Sequence, residues 1–218
     1  MKRITIIAGH YGSGKTNIAV NLALKMKKQG LPVVIADLDI VNPYFRTKDS
    51  LDRLTNAGIK LISSEYANSN VDIPAIPQEM YSIVDDKESY YIVDLGGDDR
   101  GAYALGRYAD KIKEENDYEF LFVFNKYRPL TPDASGAYEV MREIEEACQM
   151  KFTAIINNSN LGELTDISAL LTSAEESDKL SMLAGIPVKF TSAEKSLCEK
   201  LDTTDIKLFP MELQKKII

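Results

Sequence analysis

The sequence predicts an α/β fold of three layers, a mainly parallel sheet of about seven strands with helices packed on it. Two observations predict it. Short apolar runs rich in β-branched residues alternate with longer amphipathic segments along the whole chain, which is the pattern of repeated strand–helix units. The first run, ITIIA, passes through a glycine-rich turn straight into the helical pattern NIAVNLALKMK.

The strands are read at Arg3–Ala8, Val33–Asp37, Ile59–Ile62, Tyr90–Asp94, Phe120–Phe124, Phe152–Ile156 and Ile186–Phe190, each a run dominated by Ile, Val, Phe or Tyr, the residues that suit a pleated, buried surface. Helices fill the intervals: Lys15–Lys28, the region after Pro43, Pro77–Val84, Gly101–Glu115, Pro132–Met150, part of Leu164–Ala184, and Ala193–Leu201. Ser63–Pro77 is the longest stretch without periodicity, the kind of loop that is either functional or poorly ordered. Met211–Ile218 reads as a short terminal helix docked on the domain's own core. No repeat or Pro/Gly/Ser-rich linker marks a boundary, so residues 1–218 are expected to form one domain.

Composition narrows the function classes. With 218 residues, 44% hydrophobic and 27% charged, the chain is long enough to bury a core without disulfide or metal staples. A net charge of −7 argues against nucleic acid as a partner, since nonspecific affinity there comes from Lys and Arg. No apolar run reaches the 18 or so residues of a membrane span. ITIIA is also too short for the apolar core of an export signal. Cys148 and Cys198 lie far apart and outside any CxxC pattern, as expected of inert thiols in a reducing compartment. A cytoplasmic location follows.

Gly9-His10-Tyr11-Gly12-Ser13-Gly14-Lys15-Thr16 has the form Gly-x-x-x-x-Gly-Lys-Ser/Thr between a strand and a helix, which makes it a phosphate-binding P-loop and the fold a P-loop NTPase fold. Glycines let backbone N–H groups converge on phosphate oxygens, and the following helix, opening with Lys15, Thr16 and Asn17, directs its positive end at the same anion. Lys15 is expected to bridge the β- and γ-phosphates and the Thr16 hydroxyl to ligate Mg²⁺. His10, the one histidine of the chain, is a further candidate phosphate donor, neutral in about half or more of molecules near its ordinary pKa. ATP and Mg²⁺ are the implied cofactors.

Two acidic segments complete the candidate site. In YYIVDLGGDD a strand ends in Asp94-Leu95-Gly96-Gly97, so Asp94 is placed to hold Mg²⁺ through a water and Gly97 to offer its N–H to the γ-phosphate. In VVIADLDIVNPYFR a strand delivers Asp37 and Asp39. Both can face one metal and its attacking water only if the strand ends between them, as Pro43 makes plausible.

At these three segments the sequence resembles the MinD/ParA group of P-loop ATPases, which includes the nitrogenase iron protein, the arsenite-pump ATPase and CooC-like maturation ATPases. The resemblance implies a strand order of 3-2-4-1-5-6-7 and an ATP-driven change between monomer and dimer, or between dimer conformations, that acts on a protein partner. Carried over, Asp39 positions the hydrolytic water, Asp98 lies in the second switch beside Gly97, and Asp37 supports the metal, so that Lys15, Asp39 and Asp98 are the catalytic candidates. The group's signature loop has a Lys after the first Gly, where this chain has His10, and a second Gly where it has Tyr11. A nucleotide-dependent homodimer is therefore an open expectation.

The base reading starts from the chemistry of guanine-specific P-loop proteins, which place Asn-Lys-x-Asp after the second strand outward from the P-loop. Asn125-Lys126-Tyr127-Arg128 opens like that motif but follows the first strand outward and ends in Arg. The proper position reads Asn157-Asn158-Ser159-Asn160, with no carboxylate to accept from guanine, whereas an Asn157 amide can donate to and accept from adenine. Asn157 resembles the base-contacting Asn of the group, and Pro187-Val188-Lys189-Phe190 is expected to close over the ring. ATP is expected over GTP. The leading function is a weakly turning-over regulatory or maturation ATPase, with Tyr44, Phe45 and Arg46 as a recognition surface. The alternatives are a small-molecule kinase or ATP-dependent ligase, with Ser63–Pro77 shaping an acceptor pocket, and a nucleotide-binding module that hardly hydrolyses.

Overall fold

The computed structural model describes residues 1–39, 48–63, 78–96, 99–201 and 206–212, with the side chains of 48–50, 99–100 and 163 left aside. The order is β1 (Ile4–Ala8), α1 (Lys15–Lys28), β2 (Val33–Leu38), α2 (Lys48–Asn56), β3 (Lys60–Ser63), α3 (Ser82–Asp85), β4 (Tyr90–Leu95), α4 (Asp99–Gly106), α5 (Ala109–Glu115), β5 (Tyr118–Phe124), α6 (Ala134–Cys148), β6 (Ala154–Asn157), α7 (Ile167–Ala184), β7 (Val188–Glu194), α8 (Lys195–Cys198) and β8 (Leu208–Met211). The described strands form one eight-stranded sheet in the order β3-β2-β4-β1-β5-β6-β7-β8, every pair of neighbours parallel.

A parallel sheet buried on both faces needs strands that are apolar on both, and β1, β2 and the inner part of β5 are buried throughout. Alternation then sorts the side chains. Ile7, Ile35, Ile92, Leu121, Val123 and Ile156 pack with Ile18, Ala19 and Ala23 of α1 and Leu54 of α2. Ile6, Val34, Val93, Phe120, Phe122 and Phe124 pack on the other face with residues of α3, α4, α5 and α6. Phe120 stacks on Phe152 at 4.0 Å between ring centroids, anchoring α6's return to the sheet. The three layers are those the alternation of runs predicts.

Three elements differ from the reading of the sequence. The helix expected over Gly101–Glu115 breaks between α4 and α5, where Gly106 ends α4 and the Tyr108 N–H turns back to the Leu105 carbonyl at 2.8 Å. Tyr108 is thereby buried, edge-on to Tyr81. The last strand expected, Ile186–Phe190, instead runs Val188–Glu194, leaving α8 only Lys195–Cys198 of the predicted Ala193–Leu201 helix. It runs on because Thr191–Glu194 pair with β8, an eighth strand where Met211 was expected to open a helix. Phe209 of β8 stacks on Phe190 at 4.6 Å, and Pro210 is exposed at the sheet edge, the place in a sheet that tolerates its missing donor. Residues 213–218 lie outside the described residues.

Candidate functional site

β1 lies between β4 and β5, while the chain leaving it through α1 enters β2 on the far side of β4. Ligands of open α/β sheets bind at such switch points, beyond the carboxyl ends of the strands. The loop there is shaped by glycine. Gly9, Gly12 and Gly14 have φ of 152°, 76° and 91°, conformations that L side chains rarely adopt. Space is also missing: a Cβ on Gly14 would stand 2.2 Å from Asn158 Nδ2, and one on Gly9 2.6 Å from the Val123 carbonyl.

α1 begins with no acidic residue in its first turn and ends with Lys25, Lys27 and Lys28 in its last. The lysines answer the negative end of the helix dipole, and the positive end is left to an anion at the loop. Lys15 is 6% exposed and its Nζ donates to the His10 carbonyl at 3.2 Å, folding back across the loop. Burial, then the charges of Lys15 and Arg128, hold the His10 imidazole below its usual pKa, so it is neutral at pH 7. Tyr11 is exposed, and the Ser13 hydroxyl is buried without a hydrogen-bond partner. Asn17 turns away from the loop along α1, where Asn21 Nδ2 donates to its carbonyl and side-chain oxygens at 2.9 and 3.1 Å.

The metal candidates gather beside α1. Asp37 and Asp94 are register partners on β2 and β4, on the sheet face that α1 covers. The Thr16 hydroxyl donates to Asp94 Oδ2 at 2.6 Å, while Oδ1 is buried without a partner. Burial pushes the Asp94 carboxyl up to about 6, against the pull of the Thr16 hydrogen bond and of Lys15, with Asp39 adding a smaller push. β2 ends at Leu38, between the two aspartates, and Asp37 Oδ1 accepts the Asp39 N–H at 2.9 Å. Among the described residues no three His, Cys, Asp or Glu side chains form a metal cage. Mg²⁺, which keeps waters and takes one or two protein oxygens beside phosphate, fits such a site: Thr16 and Asp94 would hold it, with an oxygen of Asp94 to spare. The triphosphate fits the glycine cradle for the reasons above.

Two expected base contacts are placed elsewhere. Asn157 is fully buried, its Nδ2 donating to Ser173 Oγ at 3.0 Å and Thr191 Oγ1 at 3.4 Å, its Oδ1 accepting from the Ser159 N–H at 3.2 Å. The reason is the strand end: β6 runs through Asn157, one residue past the expected Ile156, and Ile156 already faces α1. Alternation therefore sends Asn157 to the opposite side, toward α7. Lys189 lies near the start of β7 and pairs with Glu119, at the end of the sheet opposite the P-loop. Asn158 Nδ2 donates to the Ser13 carbonyl at 2.7 Å and its Oδ1 accepts from Ser192 at 2.6 Å. With Asn160, Thr165, Glu194, Leu197 and Met211 it lines an open cleft. Asn158 and Arg128 stand in segments the sequence reading singled out, but only the contacts show which residue of each run meets the loop. Gly97, Asp98 and the segment of Tyr44, Phe45 and Arg46 lie outside the described residues, as does the loop after Ser63 through Pro77.

Comparisons with known proteins agree on the fold. FtsY of Thermotoga maritima, a cell division protein, superposes with a TM-score of 0.59 at 18% identity, over 88% of this chain and 62% of that one. The signal recognition particle receptor FtsY of Elizabethkingia anophelis gives 0.54 at 18%, over 96% and 62%. The signal recognition particle 54 kDa protein of Aeropyrum pernix K1, solved with GDP, gives 0.56 at 19%, over 87% and 41%. The chain thus spans less than two thirds of each of these structures, and at such identities the likeness is one of fold. No curated protein sequence matches the chain. Among the described residues no helix is long and apolar enough to cross a membrane. The sequence profile of the CobQ/CobB/MinD/ParA nucleotide binding domain matches residues 4–196, nearly the whole length, and the chain belongs to that family of P-loop nucleotide-binding domains.

Proposed function

We propose that this chain is a Mg²⁺-dependent ATPase with slow basal turnover, whose nucleotide state governs contact with a protein partner, a second copy of the chain being the first to test. The part-buried Thr16–Asp94 hydrogen bond carries the reading, because a hydroxyl and a half-satisfied carboxylate at the mouth of a phosphate cradle are the protein's share of a metal–triphosphate site. Bound Mg²⁺ would neutralise charge on the outer phosphates and favour displacement at the last of them. The chain's own groups do the rest: the loop amides and Lys15 fix the phosphates, and Asp39, just past the end of β2, orients a water for attack. Asp39→Asn should keep nucleotide and Mg²⁺ binding but slow phosphate release at least tenfold, about 1.4 kcal/mol of barrier. Unchanged turnover would remove Asp39 from the reaction.

For the base, the cleft beside Asn158 supports adenine through the amide of Asn160, able to donate and accept. One observation favours a second reading: Glu194 places a carboxylate on the same cleft, an acceptor suited to the two N–H donors of guanine. Competition titrations are expected to show ATP at least about tenfold tighter than GTP, with Glu194→Gln changing the ratio little. GTP binding as tight or tighter, and lost in Glu194→Gln, would make the protein a GTPase.

A further inference from the structure

Arg128 belongs to none of the machinery above. It follows β5 on a turn fixed from several directions: Asn125 Oδ1 accepts the Tyr127 N–H at 3.0 Å, and the Asn125 carbonyl accepts the Arg128 N–H at 3.2 Å and the Thr131 hydroxyl at 2.7 Å. The Lys126 N–H donates to Ser159 Oγ at 3.0 Å, and the Tyr127 hydroxyl to the Ala169 carbonyl at 3.2 Å. So held, the Arg128 side chain packs on the P-loop. A Cβ on Gly12 would meet its Nε at 3.4 Å and its Cζ at 3.6 Å.

The guanidinium there is poorly answered. Among the described residues Arg128 forms no ion pair, and its Nε is buried without a hydrogen-bond partner. A permanently charged, partly desolvated group costs free energy until an anion faces it. The same loop already carries Lys15, and both cations bear on the His10 imidazole. A chain of net charge −7 thus brings two positive groups together at its glycine loop.

We propose that Arg128 is a second phosphate-binding cation, acting within one chain, that reads the outermost phosphate of the bound nucleotide. This rests on the loop being the phosphate site. The α1 amides begin at Lys15 and serve the inner phosphates. Gly12 and His10 lie in the leading half of the loop, where Lys15 folds back and Arg128 packs, leaving the outer phosphate to these two side chains. A guanidinium offers a planar fork of donors that an ammonium does not.

The test is calorimetric titration of wild type, Arg128→Ala, Arg128→Gln, Arg128→Lys and Lys15→Ala with ADP and with a nonhydrolysable ATP analogue, both with Mg²⁺. Arg128→Ala and Arg128→Gln should weaken the analogue about tenfold or more and ADP far less, and Arg128→Lys should recover only part of the loss. Arg128→Gln keeps much of the side chain's bulk, so it answers the question even if the alanine variant folds poorly. Wild-type affinity for the analogue in Arg128→Gln, or an equal loss for both ligands, overturns the proposal, the latter because it makes Arg128 a prop for the loop. Wild-type affinities in Lys15→Ala would instead remove the phosphate site itself, a different failure.

Discussion

Lys15→Ala is expected to lower triphosphate affinity by two orders of magnitude or more while leaving the nucleotide-free protein folded. Charge-assisted hydrogen bonds contribute roughly 1.5–3 kcal/mol each, and an ammonium bridging two phosphates makes at least two. Lys15 is buried and donates to the His10 carbonyl, so its reach is short and its position fixed before any ligand arrives. That preorganisation keeps the ordering cost of binding low. Without nucleotide, Lys15 and Arg128 both depress the His10 imidazole, while Lys15 also draws on the Asp94 carboxylate. Calorimetric titration and a thermal melt read the two halves separately. Wild-type affinity in the variant would mean the loop does not hold phosphate.

Asp94→Asn should make the nucleotide-free protein more stable at neutral pH and destroy Mg²⁺ dependence. The Asp94 carboxyl, 1% exposed, is pushed by burial from an ordinary 3.8 to about 6. Between those values the folded state holds a proton that the unfolded chain has released, so stability falls as pH rises through this window and the full cost is present above it. At about 1.4 kcal/mol per pH unit the cost is on the order of 2–3 kcal/mol. Asparagine carries no charge and keeps an oxygen to accept from Thr16, so it escapes that cost. Chemical denaturation should find wild type and variant similar near pH 4 and the variant more stable by that amount at pH 8. An equal difference at both pH values would mean that Asp94 ionises normally. Loss of metal response with gain of stability is the pattern of a site that carries strain for its function.

The parts of the molecule legible in the sequence were those with a strong local cause. The P-loop was readable because strand, glycine turn, Lys15–Thr16 and helix are contiguous, and the order of β3 through β7 because the resemblance carried it. β8 was not readable: four residues including Pro210 look like no strand until β7 and Phe190 give them a partner. The break at Gly106 was hidden because an apolar pattern at helical spacing continues across it, and only the burial of Tyr108 shows the turn. At the site, Thr16 and Asp94 come together as a hydrogen-bonded pair, whereas β6 runs one residue beyond its apolar run and carries Asn157 to the side of α7. With period-two alternation, a strand that includes Asn157 holds its side chain opposite that of Ile156, and Asn158, just past the strand, is the one that meets Ser13 of the P-loop.

The edge strand has a consequence for how copies of this protein can meet. Thr191 donates to the Lys207 carbonyl, so Lys207, Phe209 and Met211 turn their backbone toward β7 and Pro210 turns outward. The outer rim of β8 therefore lacks a donor at its middle, and an added strand would lose a bond there. At the other rim β3 offers only Lys60–Ser63, with Lys60 and Ser63 exposed. Short, charged or proline-bearing rims resist fibre-like addition of strands, so neither rim of the described sheet invites a second copy to extend it.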